Sequence, residues 1–224
     1  MRLNNISEIL STEKTLLGEA ILSYESPWQI FPDLKEYIKL LIRTLPSDYI
    51  EAEKDVLISK DAKIDPLARI EGPTIIDKGA EIRYGAYIRG GALIGKGCVV
   101  GCSCEIKNSI LFDNAKAPHL NYVGDSILGY YAHIGAGVIL SNQKSDKSEI
   151  TIQNGKDKTK TGLIKMGSII GDFSEIGCGS VLNPGTIIGK NTTVYPLSSV
   201  RGYVDSNHIY KSPKNISKKH TRVD

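Results

Sequence analysis

The chain has 224 residues, a net charge of +3 and 41% hydrophobic residues. This length suits a single domain, and the small charge argues against a nucleic-acid binder. The sequence has no apolar run of about 20 residues, so we expect no membrane span. The N-terminus lacks a secretory apolar run, and the four cysteines lack paired zinc-site spacing. We therefore expect a cytoplasmic protein with reduced thiols.

Residues 1–50 form an N-terminal cap or linker without repeat character. The segment from Asp33 to Leu45 carries apolar residues at helical spacing, which predicts a helix there. We expect this segment to pack on the open end of the following domain, where it would cover exposed strand edges. Trp28 is best explained as a packing anchor for that cap.

Residues 51–205 contain an aliphatic residue at every sixth position from Ile58 to Ile106, and a small residue usually follows four positions later. The step returns from Tyr122 to Leu140 and from Ile164 to Val200. A period of six fits neither a helix nor a plain strand. It is typical of a parallel β-helix, so the fold class is all-β with hexapeptide repeats.

Two segments interrupt the repeat, and we expect loops at 113–121 and 141–163. Solenoids place insertions on one face, often the binding face. The first loop holds His119, whose side chain is suited to general base catalysis near pH 7. In the second loop, Ile150 to Gln153 followed by Asn154-Gly155 predicts a protruding basic hairpin. Residues 206–224 are predicted to be a basic tail, of which Lys211 to Asp224 is expected to be poorly ordered in isolation.

Two cationic side chains of the repeat are candidates for an anion-binding pair. Arg89 and Lys107 are 18 positions apart. If three hexapeptides make one coil, the two residues stack about 4.8 Å apart on one column. The pair could bind an anion, or both side chains could simply be solvated surface cations. Position alone leaves these alternatives open.

A resemblance to a known family rests on three runs and one residue: Glu105 to Lys107, Lys116 to Asp125, Ile134 to Gly137, and Asn142. They resemble the C-terminal acetyltransferase domain of bifunctional sugar-1-phosphate nucleotidylyltransferase/acetyltransferases, which make UDP-N-acetylglucosamine. The resemblance covers about residues 50–205. It implies a left-handed β-helix, a hand that the period cannot supply because right-handed crossovers are the general rule.

The resemblance implies a role for each acceptor-site residue. His119 would accept a proton from the sugar amine as that amine attacks the acetyl thioester, and Asn142 would contact the sugar and orient the amine. The sugar phosphate would be held by Arg89, Lys107 and Tyr122. The implied acceptor is an amino-sugar 1-phosphate, with glucosamine 1-phosphate favoured and galactosamine 1-phosphate possible, in UDP-N-acetylhexosamine biosynthesis.

The resemblance also implies the co-substrate and the assembly. Backbone groups around Ala136 and Cys178 would line an acetyl-CoA cleft between subunits of a homotrimer. No metal is needed for this reaction. The sequence departs from the family at His133, where the family has Asn, so His133 would alter the sugar contact or add a pH-sensitive group. Lys147, with Lys144 and Lys165 as alternatives, is the loop lysine expected to contact phosphate.

Several alternatives stay open. Fifty N-terminal residues are too few for a nucleotidyltransferase domain, so a separate nucleotidyltransferase chain is a possible partner. The acceptor could be a nucleotide-linked amino sugar or a hydroxyl. The chain could also be a catalytically silent trimeric platform for that separate enzyme. A γ-type carbonic anhydrase shares the predicted fold, but His119 and His133 are poorly spaced for its three-histidine zinc site.

Overall fold

The computed structural model describes residues 6–219. The first part of this range is helical. It contains three short 3₁₀ helices and two α-helices, which are Ile6–Glu8, Thr12–Lys14, Gly18–Leu22, Pro27–Ile30 and Leu34–Ile42 in chain order. The helix Leu34–Ile42 confirms the predicted helix and lies within the predicted bounds.

The remaining chain winds through three sheets, which we call the first, second and third faces. The first face contains Tyr49–Glu53, Val56–Ser59, Thr74–Ile76, Ala92–Ile94, Ser109–Leu111, Ile127–Leu128, Ser168–Ile170, Thr186–Ile188 and Tyr203–Val204. The second face contains Lys63–Ile64, Glu81–Ile82, Val99–Cys102, Lys116–His119, His133–Ile134, Glu175–Ile176, Thr193–Val194, His208–Ser212 and Asn215–Lys218. The third face contains Arg69–Ile70, Tyr87–Ile88, Glu105–Lys107, Tyr122–Gly124, Ile139–Leu140, Val181–Leu182 and Ser199–Val200.

Within each face, strands from successive coils pair in parallel. The aliphatic residues at every sixth position, which we call the inner ladder, point inward. They form one buried core along the axis, for example Ile76, Ile82 and Ile88 in one coil. The small residues that follow them, such as Ala80 and Ala86, are also buried. The predicted parallel β-helix of hexapeptide repeats is confirmed.

The predicted loop at 113–121 is wrong. This segment contains the strand Lys116–His119, which pairs with Val99–Cys102. Lys116 is in register with Val99, 17 positions earlier, whereas the preceding pair Glu81 and Val99 is separated by 18. Two successive coils of 17 residues shift the phase of the repeat, so no bulge is needed. The inward residue of the next strand is Val123, and not Tyr122 as predicted.

The second interruption is a true insertion, and its hairpin is confirmed. Thr151–Asn154 pairs antiparallel with Asp157–Lys160. The hairpin does not simply protrude, because Ile150 and Ile152 are fully buried against the outer side of the first face. Ile164 is 58% exposed, so the inner ladder resumes at Ile170 and not at Ile164 as predicted.

The N-terminal segment lies along the first face, and the prediction that it covers the open end is wrong. The first face carries a second apolar column that points outward, and its members are Leu57, Ile75, Leu93, Ile110, Ile127, Ile169 and Ile187. The helices bury this column, and Trp28, 3% exposed, packs in the same cluster as expected. The first coil is instead edged by Tyr49–Glu53, which pairs antiparallel with Val56–Ser59.

The C-terminal boundary also differs from the prediction. The strand His208–Ser212 continues the second face beyond residue 205 and turns back antiparallel as Asn215–Lys218. Much of the predicted basic tail is therefore an ordered hairpin that edges the last coil. Residues 220–224 lie outside the described range.

No helix within residues 6–219 is long and apolar enough to cross a membrane. The four cysteines are free thiols. Cys98 and Cys104 fill small-residue positions of the core, and burial raises the pKa of both thiols. Cys178 is exposed at a corner of the coil.

Candidate functional site

The corner between the second and third faces brings together His119, Ala136 and Cys178, three of the predicted site residues. His119 is in register with Cys102 on the preceding coil. The Gly137 N–H donates to the His119 carbonyl at 3.0 Å, and the Gly179 N–H donates to the Ala136 carbonyl at 2.8 Å. His119, Ala136 and Cys178 therefore occupy one corner position on three successive coils.

The His119 imidazole is exposed and makes no hydrogen bond or ion pair with any residue of 6–219. Its backbone is fixed by Asn121, which is 3% exposed. The Asn121 Oδ1 accepts from the His119 N–H at 3.1 Å, and the Asn121 Nδ2 donates to the Gly135 carbonyl at 2.8 Å. The corner is rigid, and the imidazole remains available to a ligand.

The same corner offers unused backbone donors. Within residues 6–219, neither the Ala136 N–H nor the Cys178 N–H donates to a backbone carbonyl. Gly135 permits the close approach of these coils, because a Cβ atom there would lie 2.8 Å from both the Cys178 nitrogen and its Sγ. Free N–H groups beside an exposed imidazole can bind the oxygen of a carbonyl group that is under attack.

His133 lies on the second face, away from the residues predicted to hold the sugar phosphate, which lie on the third. Its Nδ1 is 2.6 Å from the Glu175 Oε2. The pair lines a shallow cleft of about 320 Å³ with Gly135, Cys178 and Pro196. The carboxylate fixes the tautomer and orientation of the ring. The structure thus brings His133 beside the predicted co-substrate residues.

The two stacked cations of the third face each have a carboxylate partner. Arg89 Nη1 lies 2.7 Å from Glu105 Oε1, and Lys107 Nζ lies 3.2 Å from Asp125 Oδ2. The Arg89–Glu105 pair is exposed, with side-chain exposures of 41% and 35%, so an anion can replace the carboxylate at little cost. Repulsion between the stacked cations is therefore relieved within the chain.

Asp125 is the centre of a network that sequence reasoning missed. Its carboxylate, 5% exposed, accepts from the Lys107 ammonium, from the Asn108 amide at 2.8 Å and from the Asn142 amide. The Asn108 Nδ2 also donates to the Phe31 carbonyl of the N-terminal segment at 3.2 Å. The only signal in the sequence is that Asp125 ends one of the runs shared with the family.

Tyr122 and Asn142 meet above Gly124. A Cβ atom at Gly124 would lie 2.5 Å from the Tyr122 hydroxyl and 2.9 Å from the Asn142 Nδ2, so only glycine leaves room for both. Burial raises the pKa of Tyr122, and the carboxylates of Asp125 and Glu105 raise it further. Tyr122 therefore stays protonated at neutral pH and can donate to an anion.

The three candidate loop lysines lie in different places. Lys144 donates to the Glu149 carbonyl within the insertion. Lys147 is exposed, and no contact joins it to the Asp125 network within residues 6–219. Lys165 lines a cleft of about 280 Å³ together with Asn108 and Asp125. Of the three, Lys165 is placed best for an anion bound next to this network.

An apolar ridge runs along the corner that holds His119. Its members are large exposed side chains on four coils, namely Leu67 at 66%, Tyr84 at 58%, Leu120 at 63% and Leu197 at 85% exposure. The intervening coils carry only Ser103, Gly137 and Gly179 at this corner position. Exposed apolar side chains of this size are available for contacts with another chain.

A further cleft of about 610 Å³ adjoins Leu197 at the C-terminal end of the coil. Arg201 and Lys211 line it, and its lining has no carboxylate. Within the described residues, no group of three or more His, Cys, Asp or Glu side chains is placed to hold a metal ion.

Comparison with known proteins places this geometry in context. A family model described as the GMPPB C-terminal domain matches residues 70–161. A bifunctional sugar-1-phosphate nucleotidylyltransferase/acetyltransferase from Sulfurisphaera tokodaii is 32% identical over 107 residues, 48% of this chain and 27% of that protein. The bifunctional protein GlmU of Methanococcus maripaludis is 41% identical over 90 residues, 40% of this chain and 22% of that protein.

The chain is similar to the bifunctional nucleotidylyltransferase/acetyltransferases. This confirms the resemblance predicted from the sequence. The chain spans about a quarter of the length of these curated relatives.

Among solved structures, a hexapeptide transferase family protein from Anaplasma phagocytophilum is 18% identical, with a TM-score of 0.41 over 75% of this chain and 81% of that chain. A perosamine N-acetyltransferase from Caulobacter crescentus, in complex with CoA and GDP-perosamine, is 18% identical, with a TM-score of 0.30 over 74% and 57% of the two chains. These low scores carry no inference about activity.

Proposed function

We propose that this protein is an acetyl-CoA-dependent N-acetyltransferase that acts on an amino-sugar 1-phosphate. Glucosamine 1-phosphate is the favoured acceptor, and galactosamine 1-phosphate is the next candidate. The observation that carries the proposal is the shared corner position of His119, Ala136 and Cys178. It puts the base and the predicted co-substrate residues on adjacent coils.

The reaction needs one base and one set of oxyanion donors. The neutral His119 imidazole takes a proton from the sugar amine, whose nitrogen attacks the acetyl carbonyl carbon of the thioester. A C–N bond forms, the C–S bond breaks, and the imidazolium returns a proton to the leaving CoA thiolate. The free N–H groups of Ala136 and Cys178 are available to the developing oxyanion.

The acceptor would lie along the third face. Its phosphate would replace Glu105 as the partner of Arg89 and would also contact Lys107 and the protonated Tyr122 hydroxyl. Asn142, beside Tyr122, would orient the amine toward His119. His133 lies with Glu175 on the second face, so we assign it to the co-substrate side and not to the sugar.

The co-substrate would follow the corner toward the C-terminal end. Cys178 is joined to the next coil by the Leu197 N–H, which donates to its carbonyl at 2.9 Å. Leu197 in turn lines the cleft that contains Arg201 and Lys211. Two cations in a cleft without a carboxylate suit the phosphates of CoA.

The assembly would be a homotrimer. The apolar ridge that includes Leu120 and Leu197 needs a cover, and packing between copies would bury it beside His119. Such packing would also deepen the shallow clefts of the single chain and exclude water from the reacting groups.

One observation favours a different acceptor. Arg89 and Lys107 each have a carboxylate partner within the chain, so neither positive charge is left unpaired for a phosphate. The phosphate of a sugar 1-phosphate carries up to two negative charges, whereas each phosphate of a nucleotide-linked amino sugar carries one, so the latter is the second candidate. A catalytically silent platform for a separate nucleotidyltransferase is a third reading, for which the same apolar ridge would serve as the interface.

The deciding experiment is a thiol-release assay with acetyl-CoA and three acceptors: glucosamine 1-phosphate, galactosamine 1-phosphate and a UDP-linked amino sugar. Free glucosamine, which lacks the phosphate, is the matched control. Release with a sugar 1-phosphate but not with free glucosamine would support the proposed acceptor. Release only with the UDP-linked sugar would move the assignment to the second candidate. No release, together with no binding of acetyl-CoA, would favour the platform.

A further inference from the structure

Asp125 holds two of the proposed acceptor residues at once. It contacts Lys107 on the preceding coil and Asn142 at the start of the insertion, and both distances lie within hydrogen-bonding range. These two residues are distant in sequence and belong to different elements. A carboxylate whose side chain is 5% exposed and that has several donors has one well-defined orientation.

The network has a fourth member that extends it to the N-terminal segment. Asn108 donates to Asp125 Oδ1 and to the Phe31 carbonyl, so the carboxylate is fixed from the side opposite Asn142. Asp125 adopts a positive φ of 46° at the corner of the coil. The Asp125 carboxylate is therefore placed to hold the side chains of Lys107 and Asn142 in position.

We propose that Asp125 is a positioning residue, which orients the Asn142 amide and restrains the Lys107 ammonium at the acceptor site. The inference rests on the proposed function. Asp125 has two opposing effects on the acceptor. It aligns Asn142 for the reaction, but its charge also competes with a substrate phosphate for Lys107.

These effects predict a distinctive kinetic signature for Asp125→Asn. The variant loses an acceptor for the Asn142 and Lys107 donors, so the orientation of Asn142 is lost. We expect kcat to fall about tenfold or more, as for the loss of a hydrogen bond to a charged group. Lys107 loses its competing carboxylate, so the KM for the sugar phosphate should stay the same or fall. A general loosening of the fold would instead raise KM.

The chain offers a matched control in Asp172. This carboxylate is fully buried, lies 2.9 Å from Lys190 and accepts from the Ser11 hydroxyl at 2.7 Å. It lies at the corner between the first and second faces, outside the proposed acceptor site. Asp172→Asn therefore removes a comparable buried Asp–Lys contact, and it should lower thermal stability without changing kcat or KM.

The experiment compares kcat and KM for glucosamine 1-phosphate in wild type, Asp125→Asn and Asp172→Asn, with melting temperatures for all three. If wild type does not turn over, the proposed function fails and this inference fails with it. If wild type is active and Asp125→Asn matches Asp172→Asn in kcat, only the positioning role is overturned.

If Asp125→Asn does not fold, Asp125→Glu tests the positioning role instead, because the glutamate keeps a negative charge as the partner of Lys107. The longer side chain cannot keep both oxygens on the same donors. We therefore expect a lower kcat, and an unchanged kcat would overturn the inference.

Discussion

Ile110→Ala tests whether the N-terminal segment packs along the first face. Ile110 is fully buried in the outward apolar column of that face, among the N-terminal helices. The change removes three carbons, which at about 0.8 kcal/mol each is a transfer loss of about 2.4 kcal/mol. The cavity left behind adds to this, so we expect a loss of about 3 kcal/mol in the free energy of unfolding.

Trp28 makes this loss measurable, since it is the single tryptophan and packs in the same cluster as Ile110. Its fluorescence during urea unfolding reports directly on release of the N-terminal segment. Ile164→Ala is the control, because Ile164 is 58% exposed and its truncation should change stability by less than about 0.5 kcal/mol. Equal unfolding midpoints for the two variants would refute packing on the first face, because Ile110 would then be exposed.

Two further predictions concern the site and the thiols. Arg89→Met should raise the KM for the sugar phosphate about fivefold or more, because one charge-assisted contact is lost. Arg69→Met is the control: it breaks the similar exposed pair with Glu71 one coil earlier and should leave KM unchanged. Equal KM values for these variants would remove Arg89 from the acceptor site. With an aromatic disulfide reagent at pH 8, the exposed Cys178 should react in the native protein. Cys98 should react only after unfolding, because burial raises the pKa of its thiol and little thiolate forms. Rapid labelling of native Cys98 would contradict its place in the core.

The β-helix could be predicted because the type of a single residue at every sixth position reveals the period of the repeat. Each inward ladder residue, such as Ile82 or Ile88, must be aliphatic to fill the core, so a six-residue step survives in the sequence. The phase shift between Ile106 and Ser109 could not be interpreted from this step alone. A shortened coil and an inserted loop both change the phase, and strand pairings such as Ser109 with Ala92 and Lys116 with Val99 distinguish them.

The place of the N-terminal segment was missed for a related reason. The outward column that includes Ile75, Leu93 and Ile110 recurs about once per coil, next to an inward ladder residue. Adjacent apolar residues at that interval mark the one face that needs a cover. The six-residue ladder hides this longer period, although it is present in the sequence.

The candidate site shows the limit of sequence reasoning most clearly. Residues with a distinctive chemistry, such as His119, could be singled out, and the structure places His119 beside Ala136 and Cys178. Asp125 could not, because an aspartate at a strand end is ordinary in sequence. Its importance comes from the convergence of Lys107 and Asn142 on one carboxylate, which only the folded coil produces.

The most direct test of the proposed reaction is detection of its product by mass spectrometry. Purified protein is incubated with acetyl-CoA and glucosamine 1-phosphate, and the sugar phosphate is examined for one added acetyl group. His208→Ala is a suitable control for His119→Ala, because His208 lies in the C-terminal hairpin, away from the corner. We predict acetylated product with wild type and His208→Ala, and a loss of at least about a hundredfold in rate with His119→Ala at unchanged oligomer size. Undiminished product formation by a folded His119→Ala variant would contradict the assignment of His119 as the base.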